Sequence, residues 1–116
     1  MTPFKTFVCA IVAALAATFV SPLGLAAESA EPRRHVVEIR KFKFVPEILH
    51  VRPGDIVVWT NRDIVPHTAT SSAGAWDSGG IAAGGAWETV VTDDMAGQYF
   101  CRFHPSMLAT IKVAPD

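Results

Sequence analysis

The amino-acid sequence predicts an all-β protein, an antiparallel β-sandwich of seven or eight short strands. Three observations carry that expectation. From His35 onward, short runs rich in β-branched and aromatic residues recur along the chain. Turn signals such as Arg52-Pro53-Gly54-Asp55 separate those runs. Beyond Ala27, no span of ten or more residues sustains a helical period.

A removable segment precedes the strands. Met1 to Lys5 carries one positive charge, and Phe7 to Val20 is an apolar run with no charged side chain, too short for a bilayer span. Ser21, Pro22 and Gly24 break the run, and Leu25-Ala26-Ala27 supplies the small residues of a signal-peptidase site. The expected organisation is therefore a signal peptide over 1–27 and one domain over 28–116. Cleavage is placed after Ala27, with Ala26 as the alternative. That makes the protein exported, to the periplasm, with no membrane span left after cleavage. An uncleaved anchor is the competing reading, and Cys9 sits inside the apolar run, where a lipoprotein would have it after the run.

The elements follow in order. Glu28 to Arg34 is a polar lead-in containing Pro32. Val36 to Phe44 is read as one strand, ended by Pro46, and Ile48 to Val51 as a second. Ile56 to Thr60 is almost continuously apolar, as a strand inside a sandwich can be. Asn61-Arg62-Asp63 is turn-like, and Thr68 to Ser71 is a short polar strand. Ser72 to Gly85 is Gly/Ala/Ser-rich and is read as loop with at most one brief strand. Trp87 to Val91 and Gln98 to Phe103 are strands on either side of a turn over Thr92 to Gly97. Leu108 to Val113 closes the domain.

Charge excludes one class of partner. Ten Lys and Arg stand against eleven Asp and Glu, a formal charge of −1, and loss of Lys5 takes the domain to −2. Nucleic-acid binding normally leaves a basic surplus, and none is present. Arg33-Arg34 and Arg40 to Lys43 are read as solvated surface, and His35 and His50 as ordinary exposed residues.

Cysteine usage is more informative. Cleavage removes Cys9 and leaves Cys101 without a partner for an internal disulfide. In an exported protein such a thiol is a reactive group, an intermolecular bridge or a metal ligand. Cys101, His104 and Met107 place a thiolate, an imidazole and a thioether at every third residue. On a helix that spacing would stack them on one face. Pro105 pushes His104 away from helical angles, so the segment is read as a tight loop folded around a common point. His67, which follows Pro66 at the mouth of another strand, is the fourth donor.

Donor type then selects the metal. Two imidazoles and a thiolate suit zinc or copper alike, but a thioether is a soft, weak ligand useful to copper. Two histidines, a cysteine and a long axial methionine describe an electron-transfer copper site. With all four positions filled, no open position is left for substrate, which argues against an enzyme. Singly, each residue has a blander explanation, since buried methionines usually fill core and strand histidines usually face solvent. Their joint occurrence with a lone thiol in an exported β domain outweighs that.

From Val36 to Val113 the text resembles the plastocyanin/amicyanin branch of the cupredoxins. The matching residues are Phe42-Lys43-Phe44-Val45-Pro46, Val51-Arg52-Pro53-Gly54-Asp55, Val58-Trp59-Thr60-Asn61, Pro66-His67-Thr68 and Tyr99 through Met107. Two residues, Pro105 and Ser106, separate His104 from Met107, which is the amicyanin spacing; the plastocyanin loop is longer. The resemblance implies a Greek-key sandwich with one type 1 copper ion at one end. It also implies a monomeric carrier that cycles between Cu(II) and Cu(I) and docks redox-partner proteins near His104. In such proteins the second histidine emerges through an apolar patch, here expected from Pro66, Pro105, Met107 and Ile64. Asn61 resembles a position that ties the ligand loops together. Two departures stand out, Thr68 where many relatives carry Asn and Ala109 where Gly is common.

The principal rival is a periplasmic copper chaperone or buffer. Met/His-rich tracts would favour it, and the domain holds only Met95 and Met107. A copper oxidase or reductase would need an open coordination position or a second Cys/His cluster, and the sequence offers neither.

Overall fold

Val37 and Ile39 alternate with Val36, Glu38 and Arg40, and only Val37 and Ile39 are fully buried. That period of two makes β1 (Arg34–Arg40) a strand with one face to the core. The computed structural model describes residues 3, 13–20 and 31–115. In it β1 is followed by β2 (Lys43–Val45), β3 (Ile48–Val51), β4 (Ile56–Asn61), β5 (Thr70–Ser71), β6 (Ala86–Val90), β7 (Gly97–Cys101) and β8 (His104–Val113). One 3-10 turn, Asp93–Met95, lies within the expected turn before β7.

The strands form two four-stranded sheets, ordered β2-β1-β4-β6 and β3-β8-β7-β5. Their inner faces share one core. Val37, Ile39, Val57 and Trp59 come from the first sheet, and Leu49, Tyr99, Ala109 and Ile111 from the second. The sheets are mixed, which corrects the antiparallel expectation: β1 pairs in parallel with β4, and β3 in parallel with β8. The chain crosses between sheets between β2 and β3 and again between β3 and β4. Each parallel pair therefore joins strands that no hairpin connects.

Two further expectations are corrected. The single strand over Val36 to Phe44 is a hairpin, because Lys41 and Phe42 adopt φ of 50° and 59° and reverse the chain between β1 and β2. Paired positive φ values are those of a type I′ turn, whose usual marks are Asn and Gly. Neither is present, so the turn carried no signal. The tight loop expected after Cys101 is also a hairpin. Cys101 pairs with His104 across Arg102-Phe103, and Pro105, Ser106 and Met107 already belong to β8.

His35 is another departure, being half-buried with Nε2 2.9 Å from Asp55 Oδ2; His50 is exposed as expected. The expected cleavage after Ala27, with most of the expected signal peptide, lies outside the described residues. Residues 13–20 form neither helix nor strand. Among the described residues no helix is long and apolar enough to cross a membrane.

Candidate metal centre

β4 delivers Asn61, fully buried, to one end of the sandwich. Its Nδ2 donates to the carbonyls of Val65 at 2.8 Å and Ile81 at 3.0 Å, and its Oδ1 accepts the Asp63 N–H at 2.9 Å. These bonds curl residues 61–67 into a fixed loop. They also hold Ile81, whose backbone pairs with His67 in both directions at 3.1 and 2.7 Å. These bonds tie residues 61–67 to Ile81, and none of them reaches the segment from Cys101 to Met107, which Asn61 was also expected to tie.

Asp63 stands at the centre of this loop. Its carboxylate accepts the N–H groups of Lys41 at 2.6 Å and Phe42 at 3.0 Å, and lies 2.8 Å from Nε2 of His67. Burial works to raise its pKa, but the Phe42 N–H, the His67 ring and the Lys41 N–H outweigh it and hold the carboxyl below its ordinary value. An ionised carboxylate only accepts, so Nε2 carries the proton. In the neutral ring Nδ1 of His67 then carries the lone pair, the form a metal requires.

That Nδ1 faces Cys101 Sγ at 3.6 Å, and both residues are fully buried. The sulfur also accepts the Thr68 N–H at 3.3 Å. Thr68 Oγ1 in turn accepts the Arg102 N–H at 2.8 Å and bonds Thr70 Oγ1 at 2.9 Å. Thr68 therefore clasps the sulfur with its N–H and the residue after Cys101 with its hydroxyl. Ala109, the other departure, sits buried on β8 opposite Tyr99.

His104 opens β8 half-buried, its ring 5.2 Å from that of His67. Met107, on the same strand, is 4% exposed. This overturns its expected place in the surface patch, because its alternation with Ala109 and Ile111 turns it to the core. Phe42 joins the patch instead. Its ring meets His67 edge-on at 5.3 Å and His104 at 4.8 Å, while staying half exposed. Ile64, Phe103 and Leu108 are exposed, as are Pro66 and Pro105.

Of the four predicted donors, the structure brings His67 and Cys101 together and carries His104 and Met107 on the adjoining strand. Among the described residues no three His, Cys, Asp or Glu side chains form a tight metal cage. The preformed element is the His67–Cys101 pair. Donors 3.6 Å apart suit one shared ion, since bonds from zinc, a comparable first-row metal, run about 2.3 Å to sulfur and 2.0–2.1 Å to imidazole. A buried cysteine sulfur and an oriented imidazole, with a thioether carried on the adjoining strand, fit copper best. Asp63 and Phe42 are the functional residues that sequence reasoning passed over. An acidic residue four positions before the candidate ligand His67 was the available signal.

No family model matches the chain. Amicyanin of Paracoccus denitrificans is 30% identical over 102 residues, covering 84% of this chain and 78% of that protein. A methionine-to-alanine variant of amicyanin with Cu(I) superposes with a TM-score of 0.62 at 31% identity, over 70% of this chain and 82% of the other. A reduced tryptophan-to-tyrosine variant of amicyanin gives 0.62 at 32% identity, over 76% and 88%.

Proposed function

The chain belongs to the amicyanin family of cupredoxins, and from that premise we propose that it is a periplasmic electron carrier with one type 1 copper ion held by His67, Cys101, His104 and Met107. Copper bound there supplies a one-electron couple between Cu(II) and Cu(I). The observation that carries the reading is the His67–Cys101 pair, with Nδ1 3.6 Å from Sγ and each donor fixed from behind. Asp63 holds the imidazole in one tautomer and orientation. The Thr68 N–H, aimed at Sγ, holds the sulfur in position.

A carrier must change geometry little between oxidation states, and these supports serve that end because the protein sets donor positions. His104 lies against the half-exposed ring of Phe42 and directly after the exposed Phe103, and these make an apolar rim beside it. A redox partner docking on that rim would dehydrate it and bring its own centre towards the imidazole. Export is part of the proposal, with cleavage after Ala27 releasing residues 28–116 as a monomer that performs no chemical turnover.

Two measurements on the copper-loaded protein test the carrier role. NMR line broadening in mixtures of oxidised and reduced protein reads electron self-exchange, and a competing apo-protein reads copper retention. Fast exchange with the metal retained is the expected result. Slow exchange with prompt loss of copper would overturn the reading in favour of copper handling.

A further inference from the structure

At the end of the sandwich away from His104, a cleft of about 430 Å³ is lined by Arg33, His35, His50, Arg52, Asp55 and Lys112. The strand directions bring these residues together. β1 and β4 start there in parallel, while β3 and β8 end there in parallel. Lys112 lies eight residues along β8 from His104, roughly 25 Å at the rise of a strand.

The charge in this cleft is one-sided. Asp55 is its one acid, and its carboxylate is already occupied. Oδ1 accepts the Arg33 N–H at 3.0 Å, and Oδ2 meets the Arg52 N–H at 3.0 Å and His35 Nε2 at 2.9 Å. Among the described residues the ion pairs of arginine are Arg34–Glu88, Arg40–Glu38 and Arg102–Asp77. Arg33, Arg52 and Lys112 therefore line one hollow with no carboxylate partner among the described residues, on a chain whose formal charge is −1. Asp93 and Asp94 do not line it. Nor do His35, His50 and Asp55 make a metal site, since no three such side chains are so arranged among the described residues.

Like charges gathered in a concavity repel one another unless an anion joins them. Two guanidinium forks and an ammonium match an oxyanion with several oxygens on one centre. We propose that this cleft binds a polyvalent oxyanion of the phosphate class, held by Arg33, Arg52 and Lys112 with the imidazoles of His35 and His50 alongside. The oxyanion comes either free or as a lipid headgroup. Its distance from His104 separates it from the electron port.

Inorganic pyrophosphate, titrated into the reduced protein at fixed ionic strength, is the probe for the free anion. His35 and His50 ring resonances should shift saturably, and the Arg52→Gln/Lys112→Gln variant should bind about tenfold or more weakly. Both residues are exposed, and the Arg52 backbone bond to Asp55 survives the change. Vesicles of phosphatidylglycerol, against phosphatidylcholine, probe the headgroup. Recruitment that pyrophosphate reverses assigns the lipid, and pyrophosphate binding without recruitment assigns the free anion. A variant that binds as tightly as the parent protein overturns the proposal, as does the absence of both saturable binding and recruitment. The visible copper band should be unchanged in the variant, so the outcome is independent of the copper reading.

Discussion

His67 Nε2 lies 2.8 Å from the carboxylate of Asp63, and the same carboxylate accepts the two backbone N–H groups of the β1–β2 turn. One partly buried acid thus fixes both the imidazole of His67 and the hairpin that sets Phe42 over it. Asp63→Ala should weaken copper binding about 10–100-fold, the usual cost of losing the partner behind a ligand histidine. It should also lower stability by about 2 kcal/mol, since donors are left behind in a partly buried turn. Competition with a calibrated chelator and the urea midpoint read the two effects. An affinity equal to the parent's would contradict the role given to Asp63.

Thr68 makes a separate prediction. Its hydroxyl bonds the Arg102 N–H and Thr70 within a fully buried site, so Thr68→Val should cost about 1–3 kcal/mol. Thr68→Ser keeps the oxygen and should recover most of that in the same denaturation assay. A valine variant as stable as the serine one would show that the hydroxyl contributes nothing.

Phe42 holds a left-handed φ of 59° that glycine would adopt without strain. Phe42→Gly should therefore change thermal stability by less than about 1 kcal/mol, relief of strain offsetting lost ring contacts. Electron self-exchange should slow, because the ring forms part of the apolar contact around His104. Loss of several kcal/mol would mean that the ring is structural.

Asp55 predicts an acid-sensitive step. Burial tends to raise its pKa, but the Arg33 N–H, His35 and the Arg52 N–H together bring it from 3.8 down to about 2. A carboxyl whose folded value is depressed stabilises above its unfolded value and loses that contribution as pH falls through the folded one. About 2 kcal/mol should therefore be present above pH ~4 and disappear towards pH ~2. Urea unfolding from pH 5 to 2 should show that slope in the parent and a shallower one in Asp55→Asn. Parallel curves would refute it.

Much of this was legible in the sequence because it depended on local chemistry. β3 follows the expected Ile48 to Val51, since a short apolar run between Pro46 and Pro53-Gly54 has little freedom to be anything else. The types and spacing of the candidate donors pointed to one site, and the structure brings two of them, His67 and Cys101, together. What escaped depended on residues distant in sequence. Lys41 and Phe42 turn without Asn or Gly because Asp63, 21 and 22 residues on, binds their N–H groups. Likewise Asp55 consumes its own charge on Arg33 and His35, so the unpaired cations behind it appear only in the folded chain.

The most direct test of the account is the visible and EPR spectrum of the copper-loaded protein beside that of Cys101→Ser. Sγ of Cys101 accepts one N–H and faces one imidazole nitrogen, and the proposed site makes this sulfur a ligand of the copper ion. The parent should be intensely blue through thiolate-to-copper charge transfer, with the narrow copper hyperfine splitting of a type 1 site. The serine variant should lose the blue band while keeping the fold. A parent protein without that band, or a serine variant that retains it, would contradict the assignment of Cys101 as a copper ligand.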